Sequence, residues 1–150
     1  MRGKSKQITI MVIHGPNLNL LGTRELPVYG NLTLSEINKQ IKKFAKTQSV
    51  KVKTYQSNHE GRIIDCIHRA EKKCNGLVIN PGAYTHYSYA IRDTLAAVSI
   101  PAVEVHLTDI HKREEFRKTS VIAPVCLDQI SGLGVNSYLK GIERIVENVR

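Results

Sequence analysis

The chain has no tryptophan, only two phenylalanines (Phe44 and Phe116) and three cysteines among 150 residues. Each scarcity excludes something. Without aromatic side chains interleaved among basic ones there is no platform for base stacking, so the expectation is no nucleic-acid partner, despite a formal charge of +9. Cys66, Cys74 and Cys126 are odd in number and never spaced C-x-x-C, which reads as reduced thiols rather than a disulfide frame or a zinc site. No apolar run approaches the roughly 18 to 20 residues of a membrane span, and MRGKSKQ at the start lacks the apolar centre of a signal peptide. The expectation is a cytoplasmic protein with no membrane partner. Acidic residues are few as well, 13 against 22 basic, a balance that draws in anionic small molecules. The length suits one domain, residues 1–150, and falls short of the roughly 250 residues of a (β/α)₈ barrel.

What is present is an alternation of strand and helix patterns with no repeat or linker. Residues 8–13 (ITIMVI) form a continuous apolar strand. TLSE at 33–36 is a capping-box signature that opens a helix ending near Gln48. VKVKTYQ (50–56) alternates like a half-exposed edge strand, 62–73 is a helix, GLVIN (76–80) a buried strand, 87–98 a helix and PAVEVH (101–106) another strand. VCLDQI (125–130) is a weak fifth strand and SGLGVN a turn without the spacing of a dinucleotide fingerprint; 137–149 is the last helix. Five strands alternating with helices predict a parallel sheet covered on both faces. With right-handed crossovers the flavodoxin-like order 2-1-3-4-5 is the expected α/β arrangement.

That order has a functional consequence, because strands 1, 3 and 4 lie side by side around a topological switch point, where ligands of open α/β sheets bind. The unusual polar residues fall at those strand ends. Strand 1 runs into His14, Asn17, Arg24 and Tyr29; strand 3 into Asn80 and His86; strand 4 into Glu104, His106 and Thr108, then Arg113 and Arg117. Glu104 and His106 are two apart and share a face, so the carboxylate can fix the imidazole tautomer. No G-x-S-x-G elbow supplies a nucleophile, and His106 therefore reads as a general acid or base. The competing use, a metal on Glu104, His106, Asp109 and His111, matches no ligand spacing such as H-E-x-x-H, and no metal is expected.

In the loop IHGPNLNLLGTRELPVYG, Arg24 and Tyr29 stand five residues apart. Free tyrosine has a pKa near 10, and lowering it by about three units requires about 4 kcal/mol. One guanidinium at roughly 4 Å supplies an interaction of that order at an effective dielectric of about 20, and Arg24 and Arg113 are the candidates. A tyrosinate base, a carboxylate-backed histidine, amides for an enolate oxygen and arginines for an anion together suit elimination of water from a hydroxyketone acid.

The motifs GPNLNLLGTRE…YG, QSNHEGRIIDCIH, NPGAYTH, EVHL…REEFR…S and GLG…Y also resemble, in order and over nearly the whole chain, the type II 3-dehydroquinate dehydratases of the shikimate pathway. The resemblance implies a flavodoxin-like subunit of a homododecamer, a tetramer of trimers, that converts 3-dehydroquinate to 3-dehydroshikimate through an enolate without cofactor or metal, in aromatic biosynthesis or quinate breakdown. By position it implies Tyr29 as base, Arg24 as its activator on a closing lid, and His106 as the acid oriented by Glu104. Asn17 would place a water on the enolate oxygen, and Arg113 would add positive potential near Tyr29. Substrate binding would fall to Asn80 near the leaving hydroxyl, to Leu107 and Thr108 for the carboxylate, and to His86 and Arg117 for the ring hydroxyls. Asp93 would reach the neighbouring subunit's site. Two departures from the family pattern stand out: HLTD places Asp109 beside the expected carboxylate site, and Leu26-Pro27 shifts a lid proline by one place. The alternative is a flavodoxin-like module that binds an acidic metabolite without turnover.

Overall fold

The computed structural model describes residues 6–23 and 26–150, apart from the side chains of Val28 and Tyr29. Five parallel strands, β1 (Thr9–His14), β2 (Lys51–Gln56), β3 (Gly76–Asn80), β4 (Ala102–His106) and β5 (Asp128–Ser131), form one sheet in the order β2-β1-β3-β4-β5. This is the expected flavodoxin-like order. The helices are α1 (Leu26–Tyr29), α2 (Leu34–Thr47), α3 (Glu60–Lys73), α4 (Tyr89–Ala97) and α5 (Asn136–Val149).

Period-two alternation along the buried strands separates two cores. Ile10, Val12, Val78, Val103 and Val105 pack with Ile37 and Ile41 of α2 and Ile142 and Ile145 of α5. Ile13, Leu77, Ile79 and Ala102 pack on the opposite face with Ile63 and Ile67 of α3 and Ile91 and Leu95 of α4. β2 is half-exposed at one edge, as its alternating lysines predict.

Local chemistry accounts for the element ends. Thr33 and Glu36 form the predicted capping box, the Thr33 hydroxyl accepting from Glu36 N–H and the Glu36 carboxylate from Thr33 N–H. α4 begins at Tyr89 rather than 87, because the Ser88 hydroxyl accepts from Ile91 N–H and so becomes the cap. α3 starts two residues earlier than the apolar pattern places it. The fifth strand starts only at Asp128; Ala123–Val125 is a 3₁₀ turn, so Cys126 precedes the strand instead of lying on it.

At the carboxyl ends of β1 and β3 the backbones nearly touch. Gly15 N–H donates to the Asn80 carbonyl at 2.7 Å, and a Cβ on Gly15 would stand 2.5 Å from the Pro81 carbonyl oxygen. Gly82, at φ +59, turns the chain beneath Pro16 in a left-handed conformation that suits glycine. These two contacts bring the strand-1 and strand-3 loops together at the switch point.

Candidate active site

Glu104 and His106 leave β4 on the same face, as their spacing requires, and His106 Nε2 lies 2.5 Å from Glu104 Oε2. Both are buried. Oε2 also accepts from the Thr85 hydroxyl at 2.6 Å and from Gln129 Nε2 at 3.1 Å, and Oε1 accepts from the Ser120 hydroxyl at 2.8 Å. Burial opposes the Glu104 charge, but the hydrogen bonds from His106, Thr85 and Ser120 outweigh it and hold the carboxyl below its ordinary pKa. An acceptor-only carboxylate makes Nε2 of His106 the donor and leaves Nδ1 for the cleft.

The three partners of Glu104 were not singled out from sequence. Gln129 is there by register, since Glu104 pairs with Gln129 across β4 and β5. Thr85 lies in the 3₁₀ turn Gly82–His86 after β3, and Ser120 also accepts Ile122 and Ala123 N–H groups, shaping the turn that follows.

A cleft of about 100 Å³ opens beside this pair. It is lined by Asn17, Asn80, His86, His106, Leu107, Thr108, Arg113 and Arg117, so eight of the twelve residues expected from sequence converge there. Glu104 lies behind His106. Asn17 adopts a left-handed backbone, φ 67, and its N–H donates to Asn58 Oδ1 at 3.0 Å. Asn58 ties three loops together, because the same oxygen accepts from Gln56 Nε2 and its carbonyl accepts from the Tyr84 hydroxyl.

On the far wall His86 Nδ1 lies 2.8 Å from the Thr119 carbonyl, which can only accept. Burial holds the His86 pKa below its ordinary value, so the neutral ring carries its proton on Nδ1 and Nε2 is an acceptor. Phe116 meets His86 edge-on and lies under the Arg117 guanidinium, 4.7 Å from its ring centroid, while Arg117 Nε donates to Glu114 at 2.7 Å.

Below the cleft floor, on the α2/α5 face, sits a buried polar chain. His14, expected only as a strand-end residue, contacts Asn38 Oδ1 through Nε2 at 2.8 Å and the Tyr138 hydroxyl through Nδ1 at 2.8 Å. Asn80 Nδ2 donates to that hydroxyl at 3.0 Å. Burial lowers the His14 pKa to about 4 and raises that of Tyr138, so both are neutral.

Of the remaining expected residues, Arg24 lies outside the described residues, and so does the side chain of Tyr29, whose backbone closes the one-turn helix α1. Asp93 is exposed on α4, away from the lining of this cleft. The Asp109 carboxylate accepts from His111 N–H at 2.9 Å and caps the turn Ile110–Lys112. Cys126, near Glu104, has its pKa pushed up to about 12, chiefly by burial, which makes it a poor nucleophile. Among the described residues no group of three or more His, Cys, Asp or Glu side chains is placed to hold a metal ion, and no helix is long and apolar enough to cross a membrane.

Comparison with known proteins converges on one family. The family model described as dehydroquinase class II matches residues 8–146. A 3-dehydroquinate dehydratase of Halothermothrix orenii is 56% identical over 141 residues, 94% of this chain and 95% of that protein. A protein of the same name from Halalkalibacterium halodurans is 58% identical over 130 residues, 87% and 90% of the two chains. The crystal structure of the type II dehydroquinase from Butyrivibrio crossotus superposes with a TM-score of 0.91 at 50% identity, covering 93% of this chain and 97% of its own.

Proposed function

The chain belongs to the class II dehydroquinase family, and from that premise we propose that residues 1–150 act as one cytoplasmic domain that dehydrates 3-dehydroquinate to 3-dehydroshikimate in the cleft at the ends of β1, β3 and β4. The observation that carries this reading is the Glu104–His106 pair, at 2.5 Å, beside a cleft lined by two arginines, two asparagines and a second histidine.

The cleft divides the work as follows. The substrate carboxylate binds the Leu107 and Thr108 backbone amides and the Thr108 hydroxyl. Arg117 and the Nε2 acceptor of His86 take the ring hydroxyls. Tyr29, held as phenolate by Arg24 on the loop and by Arg113, removes the C2 proton, and the C–H electron pair moves into the ketone to give an enolate. Asn17 places a water against the enolate oxygen. The enolate then collapses into a C1–C2 double bond and expels the C1 hydroxyl beside Asn80. A proton from His106 Nδ1 turns the departing hydroxyl into water. Glu104, ionised and hydrogen-bonded at Nε2, lies against the ring as the counter-charge of the proton-donating imidazolium and holds its orientation through the transfer.

The subunit assembles as a tetramer of trimers, with Asp93 completing a neighbour's site. Asp93 is exposed on α4, close in sequence to Tyr87 and Tyr89, which are 59% and 65% exposed, an arrangement that suits contact with another chain. Turnover is read directly by ultraviolet absorbance, since the product is a conjugated enone acid and the substrate is not. Purified protein that gives no rise with dehydroquinate would sink the enzyme reading and leave the metabolite-binding module. A mass far from twelve chains on sizing would sink the assembly.

A further inference from the structure

The buried chain Asn38–His14–Tyr138–Asn80 has only one hydrogen arrangement that satisfies every member. Gly82 N–H donates to Asn80 Oδ1 at 3.1 Å, and a backbone N–H cannot accept, so the other amide atom is the NH₂ group. That group donates to the Tyr138 hydroxyl at 3.0 Å. Tyr138 is fully buried, and its single proton must go to His14 Nδ1 at 2.8 Å. Nδ1 is therefore an acceptor, and the ring proton sits on Nε2, aimed at Asn38 Oδ1 at 2.8 Å. The reverse polarity would point two donors at the Tyr138 oxygen and strand its own proton in the core, which is costly. The lowered pKa of His14 is consistent with this neutral ring.

We propose that His14 and Tyr138 are positioning residues that fix which edge of the Asn80 amide faces the cleft, so that Asn80 always offers its second Nδ2 proton to an oxygen of the ligand. This rests on the reading of the cleft as the dehydratase site. One face of the sheet carries the Glu104–His106 pair and the other carries this chain, and the two meet at the strand ends. A free asparagine amide can flip at little cost, presenting its oxygen where a donor is needed. Here a flip would break the bonds to both Gly82 and Tyr138 and set the whole chain against itself.

The test has two arms. In long-range ¹⁵N–¹H spectra of the intact protein, His14 is expected as the neutral Nε2–H form from pH 7.5 to 5.5, its signals identified by their loss in His14→Gln. An Nδ1–H form or an imidazolium in that range overturns the polarity. This arm needs no turnover, so it reports even if the dehydratase assay fails. In the second arm Tyr138→Phe, which keeps the shape of the core, lowers kcat/KM by about tenfold, the loss expected for one hydrogen bond. In an Asn80→Ala background the same change costs less than about twofold, because the residue through which it acts is gone. A second tenfold loss there would show that Tyr138 acts independently of Asn80. His14→Gln, which preserves one acceptor and one donor, stays within about threefold of the parent, whereas His14→Leu falls as Tyr138→Phe does. Equal, parent-like rates for both, with only the melting temperature lowered, would reduce the chain to a structural role and overturn the proposal.

Discussion

His106 Nε2 and Glu104 Oε2 lie 2.5 Å apart at the end of β4, and the same carboxylate is bonded by Thr85, Ser120 and Gln129. Glu104→Gln keeps the size but replaces an acceptor that matches all of its donors with an amide that sets one NH₂ group against them. A drop in kcat/KM of about 10² is expected, together with about 1–3 kcal/mol of destabilisation from mismatched buried groups. Steady-state rates and urea melts measure both. A full-rate Glu104→Gln enzyme would remove the orienting role.

The neutral His14 predicts a pH dependence of stability. Its pKa is about 4 in the folded chain against 6.5 ordinarily, so the unfolded chain binds the extra proton first. Stability is intact above pH 6.5 and declines as pH falls towards 4, by up to about 3 kcal/mol, at 1.36 kcal/mol per pKa unit. Glu104 adds a separate loss at lower pH. Its carboxyl titrates below the ordinary range, so its contribution is present above that range and disappears as pH falls through the folded pKa. Urea midpoints at fixed protein concentration should fall between pH 6.5 and 4.5 in the parent and much less in His14→Gln. Parallel curves for the two would contradict the assignment.

The sheet order and the convergence of the strand-1, strand-3 and strand-4 ends on one cleft were legible in the sequence because both depend on simple periodicity. Apolar runs at residues 8–13 and 76–80 mark buried strands, and a spacing of two sends Glu104 and His106 to one face. The partners that hold those residues were not legible. Thr85, Ser120 and Gln129 are 19, 16 and 25 residues from Glu104 and reach it only through a turn and a strand register. Tyr138 enters the sequence reading only as the tyrosine of GLG…Y, without a role, and only α5 packing against β3 and β4 shows that its hydroxyl meets Asn80. The start of β5 was misplaced because Val125 and Cys126 are apolar enough to extend a strand, while the turn at Ala123–Val125 is set by Pro124 and the Ser120 hydroxyl. α1 was not anticipated, because Pro27 interrupts the pattern, although proline is tolerated in the first helical turn.

Tyr29→Phe removes the proposed base and little else. The expected result is a kcat reduced by at least about 10³, with substrate affinity changed by less than about threefold, since the phenolate acts on the proton rather than on ground-state binding. Binding is measured by calorimetry at a concentration where turnover is negligible. Equal losses in affinity and rate would assign Tyr29 to binding instead.

Gly15 makes the switch point sensitive to a single methyl group. A Cβ there would stand 2.5 Å from Pro81 O and 3.0 Å from Asn80 O, both backbone atoms. Gly15→Ala must therefore separate the β1 and β3 loops that carry Asn17 and Asn80. About 1–3 kcal/mol of destabilisation is expected from the forced shift, and kcat/KM should fall by about tenfold or more as those two residues part. Thermal melts and rates check this, and a variant with unchanged stability would mean that the loops yield without strain.

Asp109 is the departure from the family pattern that most directly concerns the substrate, because an extra carboxylate close in sequence to Leu107 and Thr108, the proposed anion site, should repel it. The geometry argues for a small effect. The side chain caps its own turn through His111 N–H at 2.9 Å, its Cβ packs 3.1 Å from where a Cβ on Gly132 would lie, and the residue does not line the cleft. An asparagine oxygen can make the same cap, and a partly exposed charge is screened over about 10 Å at 0.1 M salt. Asp109→Asn should therefore keep the melting temperature within about 2 °C and lower KM by less than about threefold, with the difference shrinking as salt rises. A KM reduced tenfold at 0.1 M salt would place the Asp109 carboxylate in direct opposition to the substrate carboxylate.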